Sequence, residues 1–222
     1  MTRPGRSVIC ISRAVGAAGE EVGRLVAQRL GFRYVDEDIV VWAAEKAGVK
    51  PADVAEAERR TSRLRRLLDD LGTGGAAEAS AYVGFAPALG EAGPRGDDLR
   101  HLIREVIEET ADQGNAVIVA HAASYALAGL TDVLRVLVTA SPETRAQRLA
   151  ATGGGGEKDA AKRIKSSDAG RADYLRRFYK VDSELPTHYD LVVSTDVLTA
   201  EETAEIIVHA AAPPRAPGAS RG

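Results

Sequence analysis

The sequence predicts an α/β fold in which helices cover both faces of a parallel sheet. Apolar, β-branched runs alternate along the chain with segments whose apolar residues recur at helical spacing, and glycines or prolines separate them. The apolar runs are nearly continuous, which is typical of parallel strands buried on both faces. Hydrophobic residues make up 45% of the 222 positions and charged residues 27%, as in folded globular proteins. Five such runs predict a five-stranded parallel sheet flanked by helices.

The chain begins with a strand, a glycine-containing loop and a helix. Residues 7–12 (SVICIS) form a β-branched apolar run, and helical spacing continues from Glu20 to Leu30, where Gly31 ends it. Later elements follow the same rules. They are a strand at 32–35, helices at 39–47 and 51–71, a helix from 99 that ends at 113–115, strands at 116–120 and 133–139, a helix that starts at 141–142, a helix at 159–180, a strand at 190–194 and a helix at 199–212.

Two segments lack these patterns. Residues 72–98 are rich in Gly, Ala and Pro and predict a long mobile loop within the domain, and residues 213–222 (PPRAPGASRG) predict a disordered tail. Everything from 1 to 212 is then expected to form a single domain.

Composition excludes several classes of function. The net charge of -3 gives no global attraction to nucleic acid, and no apolar stretch approaches the length of a membrane span. The single Cys10 forms no disulfide framework, and the four histidines show no metal-ligand spacing. We expect a cytoplasmic protein that has no resident metal, nucleic-acid partner or membrane partner. The oligomeric state does not follow from the sequence.

The loop between the first strand and the first helix is the strongest candidate site. Residues 12–21 (SRAVGAAGEE) stand where backbone N–H groups and the helix dipole attract anions. A complete P-loop reads G-x-x-x-x-G-K-[ST], and this loop lacks both the lysine and the hydroxyl. A tight strand-to-helix connection with acidic residues in the first helical turn is the alternative interpretation.

The run from Ile9 to Val40 resembles the start of the cytidylate kinase-like family of P-loop NTPases. That family opens with a strand, an S-R-x-x-G-x-x-G type loop, a helix, and an aromatic residue followed by Asp. The stretches GNAVIVAHA, VLRVLVTASPETRAQRLA and the segment from 164 to 207 resemble its later core strands and lid in the same order. The resemblance implies a nucleoside-monophosphate-kinase type of P-loop fold. It also implies an acceptor-side insertion at 48–98 and a helical lid at 159–180.

The resemblance also implies roles for individual residues. Asp36 matches an acidic residue near the acceptor, and Asp168 and Arg171 match a D-x-x-R pair around the acceptor and the transferred phosphoryl group. An ordinary i, i+3 ion pair in a helix is the alternative for that pair. The positions that would bind the donor phosphates are Ser12, Arg13, Gly16, Ala17, Ala18 and Gly19.

Several positions depart from the family pattern. The lysine position holds Gly19, or Glu20 if the register shifts by one, although divergent members often lack that lysine too. Arg13 is the nearest replacement, since a guanidinium can hold phosphate oxygens bidentately. His121 stands where the family has an arginine after the second core strand. It is assigned to acceptor binding, with a hydrogen-bonded histidine at a strand end as the alternative.

The function implied is transfer of the terminal phosphoryl group of ATP, with Mg²⁺, to CMP or a related nucleoside monophosphate. Arg13, Asp168 and Arg171 are the expected catalytic residues, because phosphoryl transfer depends on positioning and on neutralising charge. Two alternatives stay open: a binding module for nucleotides or phosphometabolites that has lost catalysis, and a kinase of another small molecule.

Overall fold

The computed structural model describes residues 7–36, 38–48, 96–119, 122–153 and 156–213. The charged helix predicted at 51–71, most of the loop predicted at 72–98 and nearly all of the predicted tail lie outside these residues. The chain divides into two compact units, residues 1–36 with 107–222, and residues 37–106. The first unit holds the whole described sheet. In the second, Lys46 Nζ lies 3.9 Å from Glu105 Oε2.

Five strands form one sheet, as predicted. They are β1 (Val8–Arg13), β2 (Arg33–Val35), β3 (Ala116–Val119), β4 (Val133–Thr139) and β5 (Leu191–Ser194). The strand order is β2-β3-β1-β4-β5, and every pairing is parallel. Because β1 lies between β3 and β4, the chain leaves it on one side of the sheet and later returns on the other.

Seven α-helices occur within the described residues. They are α1 (Gly19–Leu30), α2 (Asp38–Ala47), α3 (Gly96–Asp112), α4 (Ala123–Ala126), α5 (Pro142–Gly153), α6 (Glu157–Tyr179) and α7 (Ala200–Ala211). A 3-10 turn at Pro186–His188 precedes β5. Helix α3 begins inside the segment predicted as a loop, and the short α4 was not predicted because one turn shows no period.

Local chemistry explains several helix ends. Gly31 ends α1 with φ +67°, a left-handed conformation that glycine adopts at little cost. Ser141 Oγ accepts from the Thr144 N–H at 3.3 Å at the start of α5. Thr199 forms a capping box with Glu202 at the start of α7. These are the helix ends that the sequence marks most clearly.

The two faces of the sheet have different neighbours. Helices α1 and α7 pack on one face, where the buried core includes Ile9, Ile11, Val22, Val26, Val136 and Ile207. Side chains alternate along a strand, so Cys10 and Ser12 point to the other face. There Ser12 Oγ lies 3.1 Å from Ser124 Oγ of α4. Burial raises the pKa of the Cys10 thiol to about 12 against the opposing charge of Arg135, so the thiol stays protonated.

Candidate nucleotide-binding site

The candidate loop lies at the carboxyl end of β1, at the centre of the sheet. In open parallel sheets, ligands bind beyond the carboxyl ends of the strands, where the strand order reverses. The loop is anchored on both sides: the Ala14 N–H donates to Val138 O at 3.1 Å, and Thr195 Oγ1 donates to Ala17 O at 3.1 Å. Its place in the fold is therefore that of a ligand-binding loop.

The backbone of the loop forms an anion cradle. Gly16 has φ +83° and Ala18 has φ +59°, so the chain turns sharply twice before α1 begins. Ala18 occupies the cap position and has no side-chain oxygen to accept from the first turn of α1. Because the first N–H groups of a helix have no acceptor within the helix, those at the start of α1 are suited to bind an anion in the cradle.

Gly16 is required for this shape. A Cβ at Gly16 would lie 2.8 Å from Arg145 O, closer than real Cβ atoms come to backbone, and a tight 3.1 Å from Arg145 Cα. The positive φ adds strain for any L side chain. The loop therefore rests directly on the backbone of the first turn of α5.

Arg13 packs against Gly19, the position predicted to correspond to a P-loop lysine. A Cβ at Gly19 would lie 2.5 Å from Arg13 Cβ, so no lysine stem fits there while Arg13 keeps its position. Arg13 Nη2 pairs with Glu20 Oε1 at 2.6 Å. Its Nε is buried and has no hydrogen-bond partner within the described residues. An unpaired donor beside the cradle fits an anionic ligand.

A cavity of about 630 Å³ opens beside the cradle, between the loop, α1, α5 and the start of α7. Its charged lining residues are Arg13, Arg24, Arg148, Glu20, Glu21 and Glu201. These charges are equal in number, so the cavity has no excess of positive charge. Recognition of phosphate there depends on the backbone donors and on particular guanidinium groups.

Arg148 fixes one wall of this cavity. Its Nη1 donates to Thr195 Oγ1 at 2.9 Å and its Nη2 to Thr195 O at 2.6 Å. The neighbouring Asp196 accepts from the backbone and hydroxyl of Ser141 at 2.8 and 2.9 Å. These bonds, with one to Thr144, lower the pKa of Asp196 to about 2. The segment after β5 is thereby tied to α5.

The helix α6, which includes the predicted lid, carries both residues of the D-x-x-R pair, but they do not pair with each other. Asp168 accepts from Arg145 Nη1 at 3.0 Å and from Nη2 at 2.7 Å. Arg171 donates from Nε and Nη2 to Glu184 at 2.8 and 2.6 Å. The alternative of an i, i+3 ion pair is therefore wrong, because each side chain is held by a residue outside α6.

Arg171 belongs to a half-buried polar cluster. Its Nη2 also donates to the Tyr189 hydroxyl at 3.2 Å, and that hydroxyl makes a short hydrogen bond to Glu184. Tyr125 meets the same hydroxyl at 3.4 Å and His188 Nδ1 at 3.3 Å.

Burial and pairing oppose each other in this cluster. Burial disfavours both charges, but hydrogen bonds and opposite charge outweigh it, so the pKa of Arg171 is raised and the pKa of Glu184 is lowered. Burial, followed by the hydrogen bond with Tyr189, raises the pKa of Tyr125. The Arg171–Glu184 pair therefore stays ionised.

A second cavity of about 310 Å³ lies under α6, at the carboxyl end of β4. It is lined by Ala14, Leu137, Thr139, Asp168, Arg171 and Glu184, among others. Arg171 lines this cavity, and its bonds to Glu184 and Tyr189 are made by Nε and Nη2 and not by Nη1.

The structure brings some predicted site residues together and separates others. Ser12, Arg13 and Gly16–Gly19 form one loop, and Arg145 joins that loop to Asp168. Asp36, predicted near the acceptor, accepts from the Tyr34 hydroxyl at 3.0 Å after β2. His121 lies outside the described residues. Arg145, Arg148 and Glu184 were not predicted as site residues, although the two arginines lie in the helix that follows β4, near the carboxyl end of that strand.

Relatives agree with this geometry. The central strand, the left-handed loop and the strand order define a P-loop type of α/β protein. Residues 8–197 match the cytidylate kinase-like family, and the chain belongs to that family. It is a P-loop family of the kinase type. No curated protein matches the sequence.

Two solved structures resemble this chain at low identity. An uncharacterized protein from Eubacterium ventriosum matches with a TM-score of 0.64 and 14% identity, over 92% of this chain and 97% of the other. Shikimate kinase from Bacteroides thetaiotaomicron has a TM-score of 0.48 and 15% identity, over 91% and 96%. Among the described residues, no helix combines the length and apolar character that spanning a bilayer demands.

Proposed function

We propose that the chain transfers the terminal phosphoryl group of ATP to CMP or a related nucleoside monophosphate. The observation that carries this proposal is the cradle at the end of β1, where Gly16 and Ala18 turn the backbone and the first turn of α1 presents N–H groups suited to bind an anion. Membership of a kinase-type P-loop family supports phosphoryl transfer. The choice of CMP rests on the family alone.

The donor phosphates bind at the loop in this proposal. Ser12, Arg13 and the backbone of Gly16–Gly19 surround them, and Arg13 supplies the cation that a lysine supplies elsewhere. Mg²⁺ enters with ATP as part of the substrate. Among the described residues no group of three His, Cys, Asp or Glu side chains is placed to hold a metal, so the phosphates supply its ligands.

The acceptor side is assigned to Asp36 and His121, with Asp168 and Arg171 near the transferred group. Arg171 is anchored by Glu184 and Tyr189 through Nε and Nη2, and its Nη1 would meet a phosphoryl oxygen. The reaction is placed in the cytoplasm, where the buried Cys10 stays a thiol.

One observation favours a binding module without catalysis. Glu20 holds the only ionic contact of Arg13 within the described residues, and Glu21 stands in the same first turn of α1. Carboxylates at these positions compete with phosphate for the Arg13 guanidinium, and their negative charge repels the phosphate. The module differs from the kinase only in turnover.

The test compares nucleotide binding with turnover in the same preparation. Thermal shift measures binding of ATP and of inorganic phosphate, and a coupled assay measures ADP formation with CMP, UMP or AMP. Arg13→Ala should weaken ATP binding about tenfold or more, because hydrogen bonds to charged groups contribute about 1.5–3 kcal/mol. Arg177→Ala is the matched control, since Arg177 pairs with Asp173 at 2.6 Å, the same distance as the Arg13–Glu20 pair, and does not line the cavity beside the loop.

Each outcome decides between the candidates. Turnover that depends on one monophosphate supports the kinase. Binding that Arg13→Ala weakens, without turnover for any acceptor, supports the module. Absence of any shift with ATP or phosphate contradicts both.

A further inference from the structure

We propose that Arg145 is a positioning residue that couples the phosphate loop to the lid helix α6. The residue is 5% exposed and lies in the first turns of α5, directly after β4. Its Nε donates to Val15 O in the loop at 2.7 Å, and its two Nη atoms donate to Asp168 on α6. The three nitrogens of one guanidinium therefore join Val15 and Asp168, which are 153 residues apart in the chain. Within the described residues, no hydrogen bond connects these two residues directly.

The loop also depends on the backbone of Arg145. Gly16 leaves no room for a Cβ against Arg145 O, Cα and Cβ, so the loop and the first turn of α5 are in close contact. Closely packed interiors transmit displacements because they contain few voids. A shift of Arg145 therefore moves both Val15 and the surface on which Gly16 rests.

Asp168, on α6, is exposed, whereas its partner Arg145 is buried. The Asp168 side chain is 46% exposed and the Arg145 side chain 7%. If α6 moves away, Arg145 is left as a buried cation without its carboxylate, which is unfavourable. The position of α6 and the conformation of the loop thus share one free-energy term, which is the physical basis of coupling between two sites.

A simpler role for Arg145 and Asp168 is to hold α5 against α6 without affecting the loop. In that case, loss of the Asp168 charge loosens the two helices and leaves the loop unchanged. The proposed coupling instead requires that a change on α6 is felt at Val15 and Gly16. Two amides report on the loop: the Ala14 N–H bonds to Val138 O and the Ala17 N–H bonds to Ala14 O, at 3.1 and 3.0 Å.

The experiment is amide hydrogen exchange on the full chain without ligand. Asp168→Asn should speed exchange of the Ala17 amide about tenfold, within the range of typical coupling free energies. Asp173→Asn is the matched control, because Asp173 pairs with Arg177 at 2.6 Å on the same helix. It should leave Ala17 exchange within about twofold.

Two further measurements keep the test sharp. Asp168→Glu retains the carboxylate and should restore most of the protection at Ala17. The amides of β4 report global unfolding. Faster exchange at Ala17 therefore supports the coupling only if exchange of the β4 amides is unchanged. If the Ala17 amide of Asp168→Asn exchanges within twofold of wild type while amides of α6 exchange faster, the proposed coupling is wrong. Arg145 and Asp168 then only hold α5 against α6.

A kinetic measurement rests on the proposed kinase activity. Asp168→Asn should raise the KM for ATP, whereas Asp173→Asn should leave that KM unchanged. If wild type shows no turnover, the proposed function fails, and the exchange experiment still decides whether Arg145 couples loop and lid.

Discussion

Arg13 at the end of β1 and Arg171 on α6 both pair with a glutamate, but the two pairs differ in burial and in the number of bonds. Glu20, the partner of Arg13, is 50% exposed and makes one contact, whereas Glu184 is 23% exposed and accepts two bonds from Arg171. Exposed ion pairs contribute little, and buried pairs are costly to break. An anion can therefore displace Glu20 from Arg13 far more readily than it can displace Glu184 from Arg171.

The difference assigns different tasks to chemically identical groups. Arg13 can exchange its carboxylate for a phosphate, so it suits binding of a ligand that comes and goes. Arg171 stays anchored and offers one remaining nitrogen in a fixed place, which suits a charge that must be preorganised.

The largest expected effect is on turnover. If the chain is a kinase, Arg171→Ala should lower kcat on the order of 10³-fold, in line with arginine contributions to phosphoryl transfer. Arg13→Ala should also raise KM for ATP, because its contact exists in the ground state. Lysine at either position should restore activity only in part, since an ammonium cannot reproduce the planar fork.

Steady-state kinetics on variants whose circular dichroism matches wild type checks this result. Turnover that survives both alanine substitutions within about threefold contradicts the assignment of charge.

The next effect is on stability. Glu184→Ala should lower the free energy of unfolding by about 1.5–3 kcal/mol, because it removes the hydrogen bonds of a half-buried Arg171 charge. Glu20→Ala should change it by less than about 1 kcal/mol. Urea denaturation at neutral pH measures both, and equal losses would remove the distinction between the pairs.

The same pair predicts a dependence of stability on pH. The pKa of Glu184 is lowered in the folded protein, so its contribution is present above its ordinary pKa and is lost as pH falls through the folded value. Wild type should lose stability on acidification more steeply than Glu184→Gln does. Parallel curves for the two proteins, measured by denaturation between neutral and acidic pH, would contradict this.

A smaller effect should appear at the loop. Glu20→Gln keeps the length of the side chain and removes the charge that competes for Arg13, so affinity for phosphate or ATP should rise about threefold to tenfold. Added salt should narrow the difference from wild type. Glu205→Gln, on α7 against Arg29, is the control of the same chemistry. A weaker affinity in Glu20→Gln would show that Glu20 supports the cradle.

The smallest effect concerns Asp196, an exposed carboxylate that accepts from neutral donors. Its pKa is lowered to about 2, so its contribution is present above its ordinary value of 3.8 and is lost as pH falls through about 2. Asp196→Asn should lower the melting temperature slightly at neutral pH, and the difference from wild type should shrink as pH falls from 4 through about 2. A melting temperature difference of the same size at neutral pH and at pH 2 would contradict the assignment.

Much of the fold could be predicted because local patterns determine it. The strand at Val133–Thr139 and the ends of α1 at Gly31 and of α7 near Thr199 were predicted within a residue or two. The period of apolar residues and the cap residues act over one or two turns, so they are visible in a single sequence. Helix α4 is too short to show a period, and it was missed.

The candidate site was predicted only in part. The loop from Arg13 to Gly19 was found because its position between a strand and a helix and its glycines are local features. The partners of Arg13, Asp168 and Arg171 were not found, because each pairing depends on how separate elements pack. Nothing at Arg145 in the sequence distinguishes it from Arg148 or from a solvated arginine.

The sequence by itself determined the elements, the parallel sheet and the place of the loop, because burial and backbone geometry act on neighbouring residues. Tertiary structure decided which carboxylate meets which guanidinium. Asp168 lies three residues from Arg171, yet it pairs with Arg145, and Glu184 takes Arg171. A long charged side chain can reach several partners. The packing of α5, α6 and the segment before β5 determines which partner it meets, because a charge that is removed from water without a partner is unfavourable.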